Sequence, residues 1–237
     1  GDIATAHVVD TREDKETRAR IRDDAPHAHY ALTRPDIATE LRAIEAVSRY
    51  LAGSIDRPQH VLEPFGGSGW HTAIIQAILG PEQHEAWDIS KDCCNSITSA
   101  QGSKVRVRCL DSYSALADGI DEERPTGYDW VHADFNLMSP SWIDKQPFRL
   151  DALRALPAWS SRWITVTDTT PYDVGLEWSE AAARWIGVIL EAKPVLTASW
   201  GEAQMTLFTT DKRWQGQWEL QTFSTPMKVT LDEENNQ

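Results

Sequence analysis

The chain has 237 residues, of which 41% are hydrophobic and 25% charged, so it is long enough for one large domain with a full core and too apolar for a disordered protein. No apolar run reaches the ~20 residues that a membrane span needs, and the opening residues lack the pattern of a signal peptide, so we expect a cytoplasmic protein without a membrane partner. The formal net charge of −13 argues against a large footprint on duplex nucleic acid, because phosphates repel such a surface.

The two ends of the chain differ in composition from the middle. Residues 1–26 are rich in charged side chains and are expected to form an exposed arm or helix. Apolar residues then recur at helical spacing from residue 37 to Gly53, which is placed to end that helix. Residues 226–237 carry few apolar side chains and are expected to form a flexible tail. The main domain is therefore predicted to span residues 27–225.

From residue 59 onward, short β-rich runs alternate with helical patterns. The predicted strands are, in order, QHVLEPF, HEAWDIS, VRVRCLD, YDWVHADF, RWITVTDT, PVLTASW and AQMTLFTT. A helical pattern fills every interval except the last, which is a short WGEA turn. This alternation predicts a mostly parallel α/β sheet with helices on both faces, in which the final hairpin places one antiparallel strand.

The first predicted strand leads into the stretch EPFGGSGWH. Gly66, Gly67 and Gly69 allow the backbone to turn sharply and to approach a ligand closely. The first strand-to-helix turn of an open parallel sheet is also the preferred ligand cradle. A tight turn without a ligand is the alternative interpretation. Asp88 strengthens the ligand interpretation, because it ends the next strand about 20 residues on, the separation at which an acid accepts hydrogen bonds from a ribose diol.

Carboxylates follow the first four predicted strands. Glu63, Asp88, Asp111 and Asp134 are therefore expected at one edge of the sheet, where the carboxyl ends of parallel strands meet. Any one of these acids could instead cap the helix that follows it. Three cysteines, two of them adjacent, provide neither a disulfide framework nor a CxxC metal site, and no bound metal is expected.

From residue 28 to 210 these features resemble class I S-adenosylmethionine-dependent methyltransferases. EPFGGSG is similar to their first motif, Asp88 to their ribose-binding acid, and Asp111 with Ser112 to their adenine loop; a dinucleotide-binding domain fits less well, because its fingerprint is GxGxxG. The resemblance implies a Rossmann-like seven-stranded sheet and S-adenosyl-L-methionine as cofactor. The cofactor-binding residues that it implies are Tyr30, Thr33, Glu63, Phe65, Gly66, Gly67, Gly69, Asp88, Ile89, Asp111 and Ser112.

A narrower resemblance concerns the acceptor. VLEPFGGSG is similar to the first motif of DNA and RNA amino-group methyltransferases. The segment from Tyr30 through Thr33 to Pro35 resembles the Y-x-T-P segment that precedes this motif in adenine-N6 enzymes, with one extra residue between Thr33 and Pro35. The resemblance implies methylation of a nucleobase amino group, with DNA or RNA as a partner.

Amino methyltransferases carry a [DNS]-P-P-[YFW] loop at the fourth strand, and the matching stretch here begins at Asp134 and reads DFNL. The acid is kept, whereas both prolines and the final aromatic residue are absent. The predicted catalytic residues are Asp134, which would orient the nucleophile, Asn136, which would accept an amine hydrogen, and Phe135, which would stack on the base. Trp70 and Trp142 are the candidates for substrate binding, because they follow the two loops at the ligand edge.

Two further histidines, His71 and His132, are weaker candidates for a proton acceptor, because a histidine at a helix start or in a strand is more often structural. Three functions remain open: a nucleobase methyltransferase, a methyltransferase for a protein or small molecule, and a catalytically inactive domain that binds a protein partner through its acidic surface. The divergent fourth-strand stretch and the negative charge favour the inactive domain. The sequence indicates no oligomeric state.

Overall fold

The computed structural model describes residues 4–7, 35–120, 127–137, 147–169, 176–200 and 203–223. The helices in these ranges are α1 (Pro35–Ala52), α2 (Trp70–Ile78), α3 (Lys91–Gln101), α4 (Ser112–Asp118), α5 (Pro147–Trp159) and α6 (Leu176–Leu190). The strands are β1 (Ala4–His7), β2 (His60–Glu63), β3 (Gln83–Asp88), β4 (Arg106–Cys109), β5 (Tyr128–Leu137), β6 (Ser160–Thr169), β7 (Lys193–Trp200), β8 (Ala203–Thr209) and β9 (Glu219–Phe223). None of these helices is both long and apolar enough to cross a bilayer.

All nine strands form one sheet in the order β1-β9-β7-β8-β6-β5-β2-β3-β4. Strand β8 runs antiparallel to its neighbours β6 and β7, and every other pair is parallel. Strands β2 to β8 are the seven predicted strands, and β7 with β8 is the predicted hairpin. The predicted fold class, a mostly parallel α/β sheet with one antiparallel strand, is confirmed.

The sheet extends beyond the prediction at the β7 side. Strand β9 pairs in parallel with β7, and β1 pairs in parallel with β9. Just before β9, the indole Nε1 of Trp218 donates a hydrogen bond of 3.0 Å to Thr197 Oγ1 on β7. Residues 4–7 of the predicted N-terminal arm thus belong to the sheet, whereas the rest of that arm and the predicted tail, 226–237, lie outside the described residues.

Two apolar layers cover the faces of the sheet. On one face, α1 and α2 bury a cluster that includes Leu41, Ile44 and Trp130. On the other face, a second cluster contains Val131, which follows Trp130 on β5 and points to the opposite side because side chains alternate along a strand. Packing on both faces explains why Trp130, Val131, His132 and Ala133 are buried in succession along β5.

The start of β2 is fixed by a carboxylate from the neighbouring strand. Asp129 Oδ2 on β5 accepts hydrogen bonds from the backbone N–H groups of Gln59, at 2.8 Å, and His60, at 3.0 Å. β2 lies between β5 and β3 in parallel register, so the three strands deliver their carboxyl ends to the same edge. That edge carries the glycine turn.

Candidate functional site

The turn between β2 and α2 has the conformation that glycine favours. Gly67 and Gly69 have φ angles of 54° and 88°, in the left-handed region. The Gly66 N–H donates to Trp87 O at 2.7 Å, and the Gly69 N–H donates to Gly66 O at 3.0 Å, so the turn is bonded both to β3 and to itself. A Cβ at Gly67 would meet nothing within 4 Å, which leaves open space above the backbone.

Gly66 is required for a different reason, which is space. A Cβ there would lie 2.8 Å from Ile97 Cδ1, and Ile97 is fully buried. We therefore expect Gly66→Ala to lower the free energy of unfolding by about 1–3 kcal/mol, the usual cost of overpacking a core. Gly53→Ala is the matched control, because a Cβ there has its closest contacts at 3.7 Å. Urea unfolding of both variants checks this, and equal midpoints would contradict it.

The acid at the end of β3 is oriented by two backbone groups. Asp88 Oδ2 accepts from the Gly67 N–H at 2.9 Å, and Oδ1 accepts from the Ser90 N–H at 2.8 Å. A carboxylate has about four lone-pair sites, so Asp88 keeps acceptor capacity for a ligand. The next residue, Ile89, is 72% exposed. An acceptor beside an exposed apolar side chain matches the chemistry of a ribose joined to a flat base.

A cavity of about 210 Å³ opens between the glycine turn and the end of β5. Its lining residues are Glu40, Phe65, Gly66, Gly67, Ser68, Trp70, His71, Asp88 and Asp134. The structure thus brings predicted cofactor residues together with one predicted catalytic residue, Asp134, and one predicted substrate residue, Trp70. Two buried polar atoms of these residues, Trp70 Nε1 and Asp134 Oδ1, have no hydrogen-bond partner in the described part of the chain. A ligand in the cavity could satisfy both atoms.

Three predicted cofactor residues, Glu63, Asp111 and Ser112, do not line this cavity. Glu63 is 1% exposed, and its Oε2 lies 2.6 Å from His84 Nε2. Asp111 caps α4 by accepting from the backbone N–H of Tyr113 at 3.0 Å, which is the helix-capping alternative. Ser112, the first residue of α4, is buried. The acids at the ends of β2 and β4 therefore already have hydrogen-bond partners within the protein.

The predicted fourth-strand loop is part of the strand itself. Strand β5 continues to Leu137, which pairs with Asp168 on β6 after a register shift that begins at Ala133. Residues 134–136 stand between the pairs made by Ala133 and Leu137, opposite Thr167 alone, so the start of the stretch forms a bulge and Leu137 pairs again with β6. Phe135 and Asn136 therefore lie on a strand, and their side chains are outside the described residues. Tyr30, Thr33 and Trp142 also lie outside the described residues.

A cluster of ionisable side chains, which includes Glu40, His71 and Asp134, forms part of the cavity wall. His71 Nε2 lies 2.8 Å from Glu40 Oε1 on α1, and His71 Nδ1 lies 3.4 Å from Asp134 Oδ2 on β5. The same Nδ1 lies 2.7 Å from Nε2 of His132. His71 therefore connects three groups that come from two other elements, and it sits two residues after the glycine turn.

The charges of this cluster are strongly coupled. Burial alone would lower the pKa of His71, but the carboxylates of Asp134 and Glu40 outweigh it and raise the pKa of His71 to about 9. Burial raises the pKa of Asp134, an effect that the charge of His71 opposes. Burial lowers the pKa of His132 well below its usual value, and the neighbouring His71 lowers it further. His71 is thus the preferred position for a proton.

The same residues have the composition of a metal site. Glu40, His71 and Asp134 each offer a ligand atom within 4.8 Å of the others. The two carboxylates, however, face different ring nitrogens of His71, Nε2 for Glu40 and Nδ1 for Asp134. A coordinated ion needs ligand atoms that converge on one point about 2 Å away. A hydrogen-bonded chain through the imidazole fits this geometry better than a coordination sphere does.

Sequence reasoning identified most of the cavity but missed Glu40 and gave His71 only a weak assignment. The one signal for Glu40 is its position directly before Leu41, at the start of the buried face of α1, where an acid is costly without a partner. The signal for His71 is its place just after the turn, on the first turn of a helix that faces the ligand edge. Neither signal predicts that Glu40 and His71 contact each other.

Comparisons with known proteins identify the fold. No protein-family model and no curated protein matches the chain. Magnesium protoporphyrin IX methyltransferase from Synechocystis PCC 6803, with bound SAH, superposes with a TM-score of 0.55 at 14% identity, covering 83% of this chain and 94% of that one.

Two further solved structures agree. The methyltransferase domain of bacterial CtHen1-CN gives a TM-score of 0.51 at 13% identity, covering 72% of this chain and 97% of that one. The N-methyltransferase NodS from Bradyrhizobium japonicum WM9 gives 0.51 at 12% identity, covering 74% and 98%. Identities this low show the fold alone. The chain has the class I fold of S-adenosylmethionine-dependent methyltransferases.

Proposed function

We propose that this chain is an S-adenosylmethionine-dependent methyltransferase that methylates an amino group of a nucleobase in DNA or RNA. One observation carries the proposal: a single cavity is lined by the glycine turn and Asp88 on one side and by Asp134 with His71 on the other. The first side has the chemistry to hold an adenosine, and the second has the chemistry to receive a proton. Methyl transfer to an amine needs both within reach of one another.

The residues around the glycine turn fit the cofactor. When bound, S-adenosylmethionine supplies a methyl group activated by a sulfonium. Asp88 would accept hydrogen bonds from the ribose hydroxyls while Gly67 holds its carboxylate in place. Ile89 would pack against the adenine with its exposed side chain. The carboxylate of Glu40, which also lines the cavity, would face the positive charge.

Asp134 has the leading role on the acceptor side. Its carboxylate would accept one N–H of the amine and so direct the nitrogen lone pair toward the methyl carbon. Once the new N–C bond has formed and the C–S bond electrons remain on sulfur, the nitrogen carries the positive charge. Asp134 would then take the proton that the nitrogen releases. Its unpartnered Oδ1 is consistent with this task.

Two sequence features favour a nucleobase over other amines. They are the motif VLEPFGGSG and the segment from Tyr30 to Pro35 that precedes it. Aromatic side chains also line the cavity, since Phe65 and Trp70 lie on its wall. Aromatic rings of this kind stack on any of the bases, because every base has a flat π-face. The net charge of −13 favours a nucleoside, or a single-stranded segment held locally, over a long duplex.

One observation favours a second candidate, an inactive methyltransferase-like domain that binds a protein partner through its acidic surface. Strand β5 runs through the position of the amine-binding loop and continues to Leu137. The stretch from Asp134 to Leu137 also lacks the two prolines and the final aromatic residue of the loop that holds the amine in amino methyltransferases. A third candidate, a protein or small-molecule methyltransferase, needs only the cavity.

Incubation with methyl-labelled cofactor separates these functions. We expect label in DNA, RNA or nucleosides supplied one at a time, and the adenine-N6 position is the first to examine in the digested product. Label found only in protein or small molecules of a lysate would support the third candidate. Tight cofactor binding without transfer to any fraction would support the inactive domain.

A further inference from the structure

We propose that His71 is a positioning residue that carries a fixed positive charge between Glu40 and Asp134, and that this charge keeps Asp134 ionised as the acceptor of the amine proton. The proposal deepens the proposed function and rests on it. It assigns a role to a side chain that belongs neither to the glycine turn nor to the fourth-strand stretch.

Only one proton fits between Nδ1 of His71 and Nε2 of His132. The two nitrogens are 2.7 Å apart, so either His132 donates to His71 or the reverse. His132 Nδ1 in turn lies 2.5 Å from Thr165 Oγ1, which also accepts a hydrogen bond of 3.1 Å from Trp130 Nε1. If His132 donates at Nδ1, its Nε2 must accept, and His71 must donate from both ring nitrogens. His71 is then an imidazolium.

The surrounding carboxylates select this charged arrangement. If His71 were neutral, its Nδ1 would point a lone pair into the region of Asp134 Oδ2, 3.4 Å away. Two carboxylates, Glu40 and Asp134, would then be left without a compensating charge at the cavity wall, and Glu63 lies close enough to add to their field. The Glu40 and Asp134 side chains are only 26% and 21% exposed, so water compensates their charges incompletely. In the described part of the chain, the ion pairs of Glu40 and Asp134 are both with His71.

The charge on His71 determines what Asp134 can do. Burial raises the pKa of Asp134, and the negative Glu40 raises it further, so the carboxyl tends toward its neutral form. A neutral carboxyl would donate its own O–H and could not take a proton from the acceptor. The imidazolium opposes both effects. His71 thus acts through Asp134.

Nuclear magnetic resonance tests the proposal without any methyl acceptor. We expect both ring nitrogens of His71 to be protonated at neutral pH and to lose a proton only near pH 9. We expect the Asp134 carboxyl carbon to show the ionised form at neutral pH, and its titration midpoint to rise by about one pH unit or more in His71→Asn. His60→Asn is the matched control, because the His60 ring lies 3.1 Å from Gly127 O, does not line the cavity, and should leave Asp134 unchanged.

Three results would overturn the proposal: a His71 ring that is neutral at pH 7, an Asp134 midpoint that His71→Asn leaves unmoved, or a Zn²⁺ or Mn²⁺ complex that forms on the wild type and is lost in Glu40→Gln. The titration of the wild type answers the first point even if the variant fails to fold. Failure of the proposed function would give a different result. The protein would bind no S-adenosylmethionine, but the His71 and Asp134 resonances would still titrate as expected.

Discussion

Replacement of Asp88 by alanine is expected to weaken binding of S-adenosylmethionine by about 100-fold or more. The carboxylate would accept hydrogen bonds from two ribose hydroxyls, and bonds to a charged group contribute about 1.5–3 kcal/mol each. The substitution also removes the acceptor that holds the Gly67 N–H at 2.9 Å, so part of the glycine turn would loosen. Both effects act in the same direction. Isothermal titration calorimetry measures the change in Kd.

Asp92→Ala is the control for this experiment. Asp92 is an exposed acid on the first turn of α3, four residues from Asp88 in sequence, and it does not line the cavity. Its replacement should leave the Kd of the cofactor unchanged. Equal affinities for the wild type and Asp88→Ala, with a folded variant, would show that the cofactor is not held by the end of β3.

Replacement of Asp134 by asparagine should reduce kcat for methyl transfer by about 10²–10⁴-fold, the range over which positioned proton acceptors act. The amide keeps the size of the side chain but cannot accept a proton at neutral pH. Cofactor affinity should change by less than about threefold, because Asp134 would contact the acceptor rather than the adenosine. Single-turnover transfer with labelled cofactor separates the two quantities.

Asp129→Asn provides a matched control at the opposite end of the same strand. Asp129 bonds to the backbone of Gln59 and His60 and lies away from the cavity, so its substitution affects stability but should spare kcat. If Asp134→Asn keeps full activity, another group receives the proton or the acceptor arrives already deprotonated. If both variants lose activity equally, the loss reflects folding of β5.

The seven central strands and the class of the sheet could be predicted because the information is local. The alternation of apolar runs with helical patterns predicts β2 to β8. The turn between β7 and β8 is too short for a helix, so it predicts a hairpin. The glycine turn and Asp88 were predictable for the same reason, since backbone conformation and spacing along the chain decide them. Gly67 and Gly69 adopt the positive φ angles that their residue type suggests.

The remaining features depend on partners distant in the chain. β9 is a five-residue strand whose only neighbours are β7 and β1, and short strands of mixed composition carry little signal. Glu63 could not be recognised as the partner of buried His84, because the two residues lie 21 positions apart on different strands. The cluster around His71 joins α1, α2 and β5, and no spacing along the sequence brings Glu40 to His71. Asp111 shows that a helix cap and a ligand acid look alike in sequence.

Calorimetric titration of the wild-type chain with S-adenosylmethionine and with its demethylated product tests the central claim most directly. The account predicts one site per chain with micromolar affinity for both compounds, competition between them, and loss of that site in Asp88→Ala. Absence of heat with either compound at millimolar concentration, or binding that persists undiminished in Asp88→Ala, would contradict it.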